Sequence, residues 1–244
     1  MTTYPTPSFW DYLAQDWSNG ASRTFEAYRQ HIWRIMSAGT GETLYMVGMA
    51  SLFAIIGGLI IGIILYVTQR DGIYPMVVLN SVLSFIVNVG RSIPFVVLIM
   101  LVFPLSRIIV GTIVGSSAAV VPMTIAAIPF MSRVVESALN DLGKGIIEAA
   151  VAAGATPMQI IYRVLIPESA PGLVSGFTLL VINLITFSAM AGLIGGGGLG
   201  QVAQSYGLFR HRQDIMIYTV ILMVILVQIV QFTGQYVSRK LDKR

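Results

Sequence analysis

The chain has 244 residues, of which 55% are hydrophobic and only 11% are charged, with a formal net charge of +4 at pH 7. Soluble domains carry about 25% charged residues, so the composition excludes an ordinary soluble protein and predicts an integral membrane protein. The absence of cysteine excludes disulfides, thiolate catalysis and cysteine-ligated zinc.

Residues 1–42 form a polar block that precedes a predicted transmembrane domain at 43–244. Apolar side chains fall on one helical stripe of this block, at Phe25, Tyr28, Ile32, Ile35 and Met36, and polar ones on the other side, at Arg23, Glu26, Arg29, Gln30 and Arg34. The pattern predicts a helix in the headgroup region with Trp33 as an interfacial anchor; a surface helix or a partly disordered tail is the alternative. The charges leave no apolar h-region, so we expect no cleavable signal peptide.

Charge-poor segments after residue 42 predict five membrane spans, since roughly 17–25 apolar residues cross a bilayer as a helix. Lipid offers the backbone no water, so all five are expected to be helical and the chain to be an all-α membrane protein. The predicted spans are Thr43 to Val67, Ser92 to Ile109, Ser117 to Ser132, Gly172 to Ile194 and Ile215 to Ser238.

Two segments near span 1 carry packing signals. Gly58-x-x-x-Gly62 in span 1 is typical of a close approach between helices. Tyr74 to Gly90 is apolar with one polar seam and is predicted to be a lead-in helix to span 2. The seam consists of Asn80, Ser84 and Asn88.

Spans 2 and 3 carry arginines and prolines. Arg91 and Arg107 bracket span 2 and are expected to snorkel to the two interfaces, whereas an Arg91 at mid-membrane would be a functional-site candidate. Pro122 and Pro129 predict bends in span 3, which suit a moving pathway.

The loop at about 136–168, between spans 3 and 4, is polar but too regular for a simple linker. Gly145 to Ala153 favours a helix that stops at Gly154, a natural residue for the left-handed position after a helix end. Thr156 to Gln159 fits a capping box that starts a second helix. Pro167 is expected to end that helix near Leu165, because proline disfavours helical geometry in the preceding residue.

Helices of about ten residues reach only ~15 Å, so this loop cannot span lipid and is predicted to protrude as a knob. Glu148 offers a carboxylate to a basic partner, and small side chains let the knob enter a groove on another protein. These small residues are Ala149, Ala150, Ala152, Ala153, Gly154 and Ala155. An interfacial helix pair that only connects two spans is the alternative.

The order Glu148-Ala149-Ala150, Gly154 and Leu165-Ile166-Pro167 resembles the EAA motif of bacterial ABC importer permeases, a cytoplasmic signature that docks on the ATPase subunit. Val164 and Ile166 depart from that motif conservatively. The resemblance implies a type I importer fold with a cytoplasmic coupling helix pair. The coupling residues it implies are Glu148, Ala149, Ala150, Gly154, Ala155, Pro157 and Pro167.

Three further stretches are similar to the methionine importer permease subfamily, and the likeness extends over about Glu42 to Lys243. They are Asn88 to Phe95, Gly154 to Ile160, and Ser188 to Gly192 followed by Gly197 to Gln201. The resemblance implies a homodimer that imports L- or D-methionine, with two ABC ATPase subunits that hold ATP and magnesium and an external methionine-binding lipoprotein. The polar N-terminal block is longer than this family implies.

Catalysis within the chain itself is poorly supported. Gly143-Lys144-Gly145 lacks the Ser or Thr and the upstream glycines of a Walker A loop, so energy must come from a partner or a gradient. His31 and His211 have no metal-ligand or triad spacing. We therefore predict no catalytic residue, no metal and no cofactor in this chain, and no nucleic-acid partner.

For the solute path, the sequence favours Asn183, Ser188 and Met190 of span 4. Asn183 is costly in lipid unless it faces a polar lumen or another helix, and Met190 offers a soft surface to a thioether side chain. A flexible, closely packed turn or gate near the outer end of the pathway is predicted at Gly195, Gly196, Gly197, Gly198 and Gly200.

Two alternatives stand beside methionine import. One is a permease for another small amino acid. The other is a gradient-driven secondary transporter, which is disfavoured because the predicted spans hold no buried carboxylate of the kind that proton-coupled carriers use.

The basic tail Ser238 to Arg244 predicts a cytoplasmic C-terminus. The family resemblance implies a multi-pass protein of the bacterial plasma membrane. With five spans, the N-terminus is then outside and the loop at 136–168 is in the cytoplasm.

Overall fold

A computed structural model describes residues 22–242, which fold almost entirely into helices. The helices are α1 (Ser22–Val67), α2 (Val77–Ser92), α3 (Phe95–Val110), α4 (Ser116–Asn140), α5 (Lys144–Ala152), α6 (Pro157–Gly192), α7 (Gly198–Val202) and α8 (Gln213–Leu241). Within the described residues, α1, α4, α6 and α8 are long and apolar enough to cross a membrane, and α2 with α3 forms one bent pair. Counting the pair as one broken span gives five. The predicted features at residues 1–21 and at Lys243 and Arg244 lie outside the described residues, as do the side chains of Arg23, Phe25 and Glu26.

Helix α1 joins the predicted headgroup helix to span 1 without a break, across the boundary predicted at residue 42. No proline interrupts this stretch, and Gly39 within it packs closely on α7, where a Cβ would lie 3.0 Å from the Val202 side chain. At about 1.5 Å per residue, 46 residues reach ~69 Å, which exceeds the ~30 Å hydrocarbon layer. Helix α1 is therefore longer than one membrane crossing requires. Trp33, in its first part, is 75% exposed.

Close packing of α1 on α4 positions the core of the bundle. A Cβ at Gly62 would lie 2.6 Å from the Ser132 carbonyl oxygen, and one at Gly58 would overlap Met131. The prediction that Gly58-x-x-x-Gly62 is a helix contact is confirmed, since only glycine allows this approach.

Helices α2 and α3 meet at a bend of 108°. The backbone turns extended at Ile93, which precedes Pro94, because proline disfavours helical geometry in the residue before it. Gly90 packs on Pro129, where a Cβ would lie 2.9 Å from the ring, and Pro129 is near the middle of α4. Arg91 therefore lies near mid-depth of the bundle. This level favours the alternative stated for Arg91, a place at mid-membrane, over the predicted place at an interface, and the residue lies on an exposed face of the chain.

Helix α4 extends to Asn140, beyond the predicted end at Ser132, and so carries a carboxylate. Glu136 is only 9% exposed and accepts hydrogen bonds from Arg133 (2.5 Å) and from the Gln69 amide (3.2 Å). Glu136 lies one turn past the predicted end of span 3, so the longer helix α4 holds a buried carboxylate that the predicted span does not include. Arg133 neutralises its charge within the same helix.

The polar seam of α2 has partners on both neighbouring helices. Asn88 accepts a hydrogen bond from Arg133 at 3.0 Å, and the Ser84 carbonyl accepts another at 3.2 Å. Asn80 donates to the Leu65 carbonyl at 2.6 Å. The spacing of four residues thus places these positions on the side of α2 that contacts α1 and α4.

Helix α6 continues through Pro167, so the prediction that it ends near Leu165 is wrong. Residues Ile160–Leu165 form a π-helical turn, in which the Ile166 N–H donates to the Ile161 carbonyl five residues back. The wider turn takes up the irregularity that a proline imposes on a helix. The second member of the predicted helix pair is therefore the first part of the 36-residue helix Pro157–Gly192.

Candidate functional site

The short helix α5 lies between the ends of α4 and α6 and turns back sharply at Gly154. Gly154 has φ +77°, the left-handed conformation predicted for it after the helix end. Thr156 and Gln159 form the predicted capping box, with each side chain bonded to the other residue's backbone N–H. These two features fix the direction of α5 relative to α6.

One side of α5 packs on the bundle, and the other is open. Ile147, Ala150 and Ala155 contact the hydrophobic core. Glu148 and Ala149 are exposed, as is Gly154. Larger exposed side chains extend the open side as an apolar surface, at Val151, Met158 and Tyr162. We call this open side the α5 surface.

The remaining predicted coupling residues border the α5 surface. Pro157 lines a cleft of about 660 Å³ between α5 and residues 69–73, together with Glu148 and Ala155. Pro167 is exposed on α6, two turns beyond the capping box. The structure thus brings the predicted coupling residues to one end of the bundle.

A second cavity, of about 340 Å³, lies at the break between α2 and α3. Arg91 and Asn183 supply its polar side chains. Phe95 and Phe187 line it as a stacked pair with ring centroids 4.3 Å apart. Asn183 therefore faces a cavity, as its sequence position suggested.

The other two predicted pathway residues do not line this cavity. Ser188 is 1% exposed and donates to the Ile185 carbonyl at 2.7 Å, so its hydroxyl is satisfied within its own helix. Met190 is partly exposed at the end of α6. The structure does not bring Asn183, Ser188 and Met190 together around one cavity.

The glycine turn at the far end of α6 is densely packed. Gly195, Gly197 and Gly198 have positive φ angles, and Gly196 through Gly200 are buried. A Cβ at Gly200 would lie 2.7 Å from the Ala189 Cα. The turn therefore needs glycine for both conformation and space.

Two side chains of α1 hold the glycine turn, and the sequence did not single them out. The Gly198 N–H donates to the Glu42 carboxylate at 2.6 Å, and the Leu199 N–H donates to the Thr43 hydroxyl at 3.0 Å. The sequence signal for them is a carboxylate and a hydroxyl at the point where α1 changes from polar to apolar.

A polar cluster at the same end fixes the first part of α1. Tyr28 donates to Asp214 at 2.5 Å, and the Arg212 guanidinium binds the same carboxylate through two nitrogens at 2.8 and 3.0 Å. Met36, Leu199 and Ile215 form a small apolar core beside it. The N-terminal segment is thus packed on α8 and the glycine turn.

Comparison with known proteins places these features in a family. Residues 39–244 match the family described as binding-protein-dependent transport system inner membrane component. This chain belongs to that family. The permease is accordingly a membrane component of a transport system and not an enzyme.

Individual relatives cover most of the permease. It is 44% identical over 210 residues to the probable D-methionine transport system permease protein MetI of Vibrio cholerae, covering 86% of this chain and 93% of the relative. It is 42% identical over 205 residues to the methionine import system permease protein MetP of Bacillus subtilis, covering 84% and 92%.

Solved structures have the same fold. The inward-facing MetNI methionine ABC transporter matches with a TM-score of 0.85 and 43% identity, covering 86% of this permease and 98% of that chain. An amino acid ABC transporter solved with histidines matches with a TM-score of 0.73 at 17% identity, which supports the fold alone. The predicted type I importer fold is confirmed.

Proposed function

We propose that this permease carries methionine, L or D, across the bacterial plasma membrane by alternating access, driven by ATP hydrolysis on partner subunits. The observation that carries the proposal is the α5 surface, which has small side chains and is partly apolar. The turn at Gly154 connects it directly to a membrane-spanning helix. The names of the relatives from Vibrio cholerae and Bacillus subtilis supply the substrate. Apolar surface exposed at the end of a bundle is typical of an interaction site.

The proposed assembly contains two copies of the permease, two cytoplasmic ATPases and an external methionine-binding lipoprotein. ATP and magnesium bind to the ATPases. The match to a family of binding-protein-dependent systems and the likeness to an ABC transporter support this composition.

The α5 surface is the proposed contact with the ATPase. Ala149 and Gly154 allow close approach, and Glu148 bonds to a basic group of the partner. Ala150 and Ala155 connect the contact to the core, while Pro157 and the capping box hold the start of α6 in place.

Asn183 is the proposed pathway residue, because it faces a cavity between α2, α3, α4 and α6. The glycine turn is the proposed gate at the outer end. The α5 end then lies in the cytoplasm together with the C-terminus, and the N-terminus lies outside.

Reconstitution tests the proposal directly. Proteoliposomes that contain the permease, its ATPase and the binding protein should accumulate radiolabelled methionine only with ATP. An ATPase without its catalytic glutamate is the matched control. Uptake by the permease alone under a proton gradient would refute ATP-driven import and favour a secondary carrier.

Competition with unlabelled amino acids tests the substrate. Methionine should displace the label, whereas alanine and glutamate should not. Equal displacement by another small amino acid would assign the permease to that solute instead.

A further inference from the structure

The break between α2 and α3 places a positive charge, the exposed Arg91, level with the middle of α4. Arg91 is in the last turn of α2, next to Gly90, which packs on the middle of α4. A charged side chain at this depth is costly unless water, an opposite charge or a ligand compensates it. Arg91 therefore needs a compensating partner at this level.

No protein carboxylate in the described residues compensates Arg91. Glu136 is the buried carboxylate closest along the neighbouring helix, and it is already bonded to Arg133 and Gln69. Among residues 22–242, no side chain or carbonyl accepts a hydrogen bond from Arg91. The guanidinium, with its five N–H donors, lines the cavity without a hydrogen-bond partner among these residues.

The rest of the cavity suits a small zwitterion with an apolar side chain. Asn183 adds an amide that both donates and accepts hydrogen bonds. Phe95 and Phe187 form one stacked aromatic wall, and Leu180 and Phe130 complete the apolar lining. The volume of about 340 Å³ falls in the range of small-molecule sites, roughly 300–1,000 Å³.

We infer that Arg91 is the anchor for the α-carboxylate of the transported amino acid, in one cavity per subunit. The planar guanidinium binds a carboxylate through two parallel hydrogen bonds, which a single amide cannot do. Asn183 bonds to the remaining polar groups of the amino acid, and the aromatic wall contacts its side chain. This inference rests on the proposed function.

The first test locates the substrate without relying on transport rates. The complete complex in proteoliposomes is supplied with ATP and a diazirine analogue of methionine, and it is then irradiated and digested. Label on peptides that contain Phe95, Phe130 or Phe187 supports the site. Label confined to other peptides, or to the binding protein, overturns it.

The second test compares two arginines of the same broken span. Arg91→Gln should lower ATP-driven uptake at limiting methionine about 10- to 100-fold, the range expected for loss of a charged hydrogen-bonded pair. Arg91→Lys should fall between Arg91→Gln and the unmodified protein, since it keeps the charge without the planar fork. Arg107→Gln, at the exposed end of α3, should leave uptake unchanged.

The outcomes separate the two levels of the proposal. Uptake by Arg91→Gln equal to that of the unmodified complex would overturn the role of Arg91 and leave methionine import intact. Failure of the unmodified complex to take up methionine with ATP would overturn both. Should Arg91→Gln fail to assemble, the labelling of the unmodified complex decides.

Discussion

The two ends of the bundle differ in how their glycines are packed. At the glycine turn, buried glycines pack against α1 and α6, and Glu42 and Thr43 bind two backbone N–H groups. At the α5 end, nothing lies within 4 Å of a Cβ placed on Gly143, Gly145 or Gly154. Similar glycine-rich sequences therefore form a closed contact at one end and an open surface at the other.

This contrast indicates which end needs another protein. The glycine turn is satisfied by its own chain, so substitutions there are expected to change folding stability. The α5 surface gains little from its own chain, so substitutions there are expected to change association with a partner and leave folding intact.

Gly154→Leu should have the largest effect, a loss of ATPase binding of at least about tenfold. A side chain at φ +77° costs roughly 1–2 kcal/mol and redirects α5, while the added bulk blocks close approach. Co-purification of the ATPase with the membrane-extracted permease measures this loss. Gly143→Leu is the control, because Gly143 has φ −61° and is equally open. Normal co-purification with Gly154→Leu would argue against docking at the α5 surface.

Gly200→Val should give the opposite pattern, with lower stability and normal ATPase binding once folded. The valine would overlap Ala189 on α6, and overpacking of this kind costs about 1–3 kcal/mol. Thermal unfolding of the detergent-solubilised protein measures the change. An unchanged unfolding temperature would show that the turn accommodates a valine and would contradict this prediction.

Thr43→Val should destabilise the glycine turn by about 2 kcal/mol, because it leaves the buried Leu199 N–H without its acceptor. Thr40→Val is the matched control, since the Thr40 hydroxyl bonds, among the described residues, within its own helix, to the Met36 carbonyl. Denaturant or thermal unfolding of both variants measures the difference. Equal destabilisation of the two would assign the effect to helix propensity instead.

Tyr28→Phe should have the smallest effect, about 1 kcal/mol, because it removes one hydrogen bond to Asp214 while Arg212 still binds that carboxylate. Faster proteolytic cleavage within residues 22–36, with unchanged methionine uptake, is the expected result. Loss of uptake would show that the N-terminal part of α1 takes part in transport.

Much of the fold follows from sequence patterns because lipid restricts the choices. Span count, the Gly58 and Gly62 contact, the left-handed Gly154 and the capping box at Thr156 each follow from local rules of helix geometry. These features depend on a few neighbouring residues, so they can be predicted from the sequence.

The features that sequence reasoning missed depend on contacts between distant segments. Pro167 was expected to end a helix, but a π-helical turn next to it keeps the helix intact. Arg91 was expected at an interface, but the packing of Gly90 on Pro129 holds it level with the middle of α4. Neither feature can be predicted from a hydrophobicity profile of the sequence.

The continuity of α6 has a mechanical consequence. Its 36 residues reach ~54 Å at about 1.5 Å per residue, from the capping box beside α5 to the glycine turn. A continuous helix of this length can act as a lever, so a displacement at one end moves the opposite end. Stiffening or softening the π-helical turn would then alter the stroke delivered to the far side of the membrane.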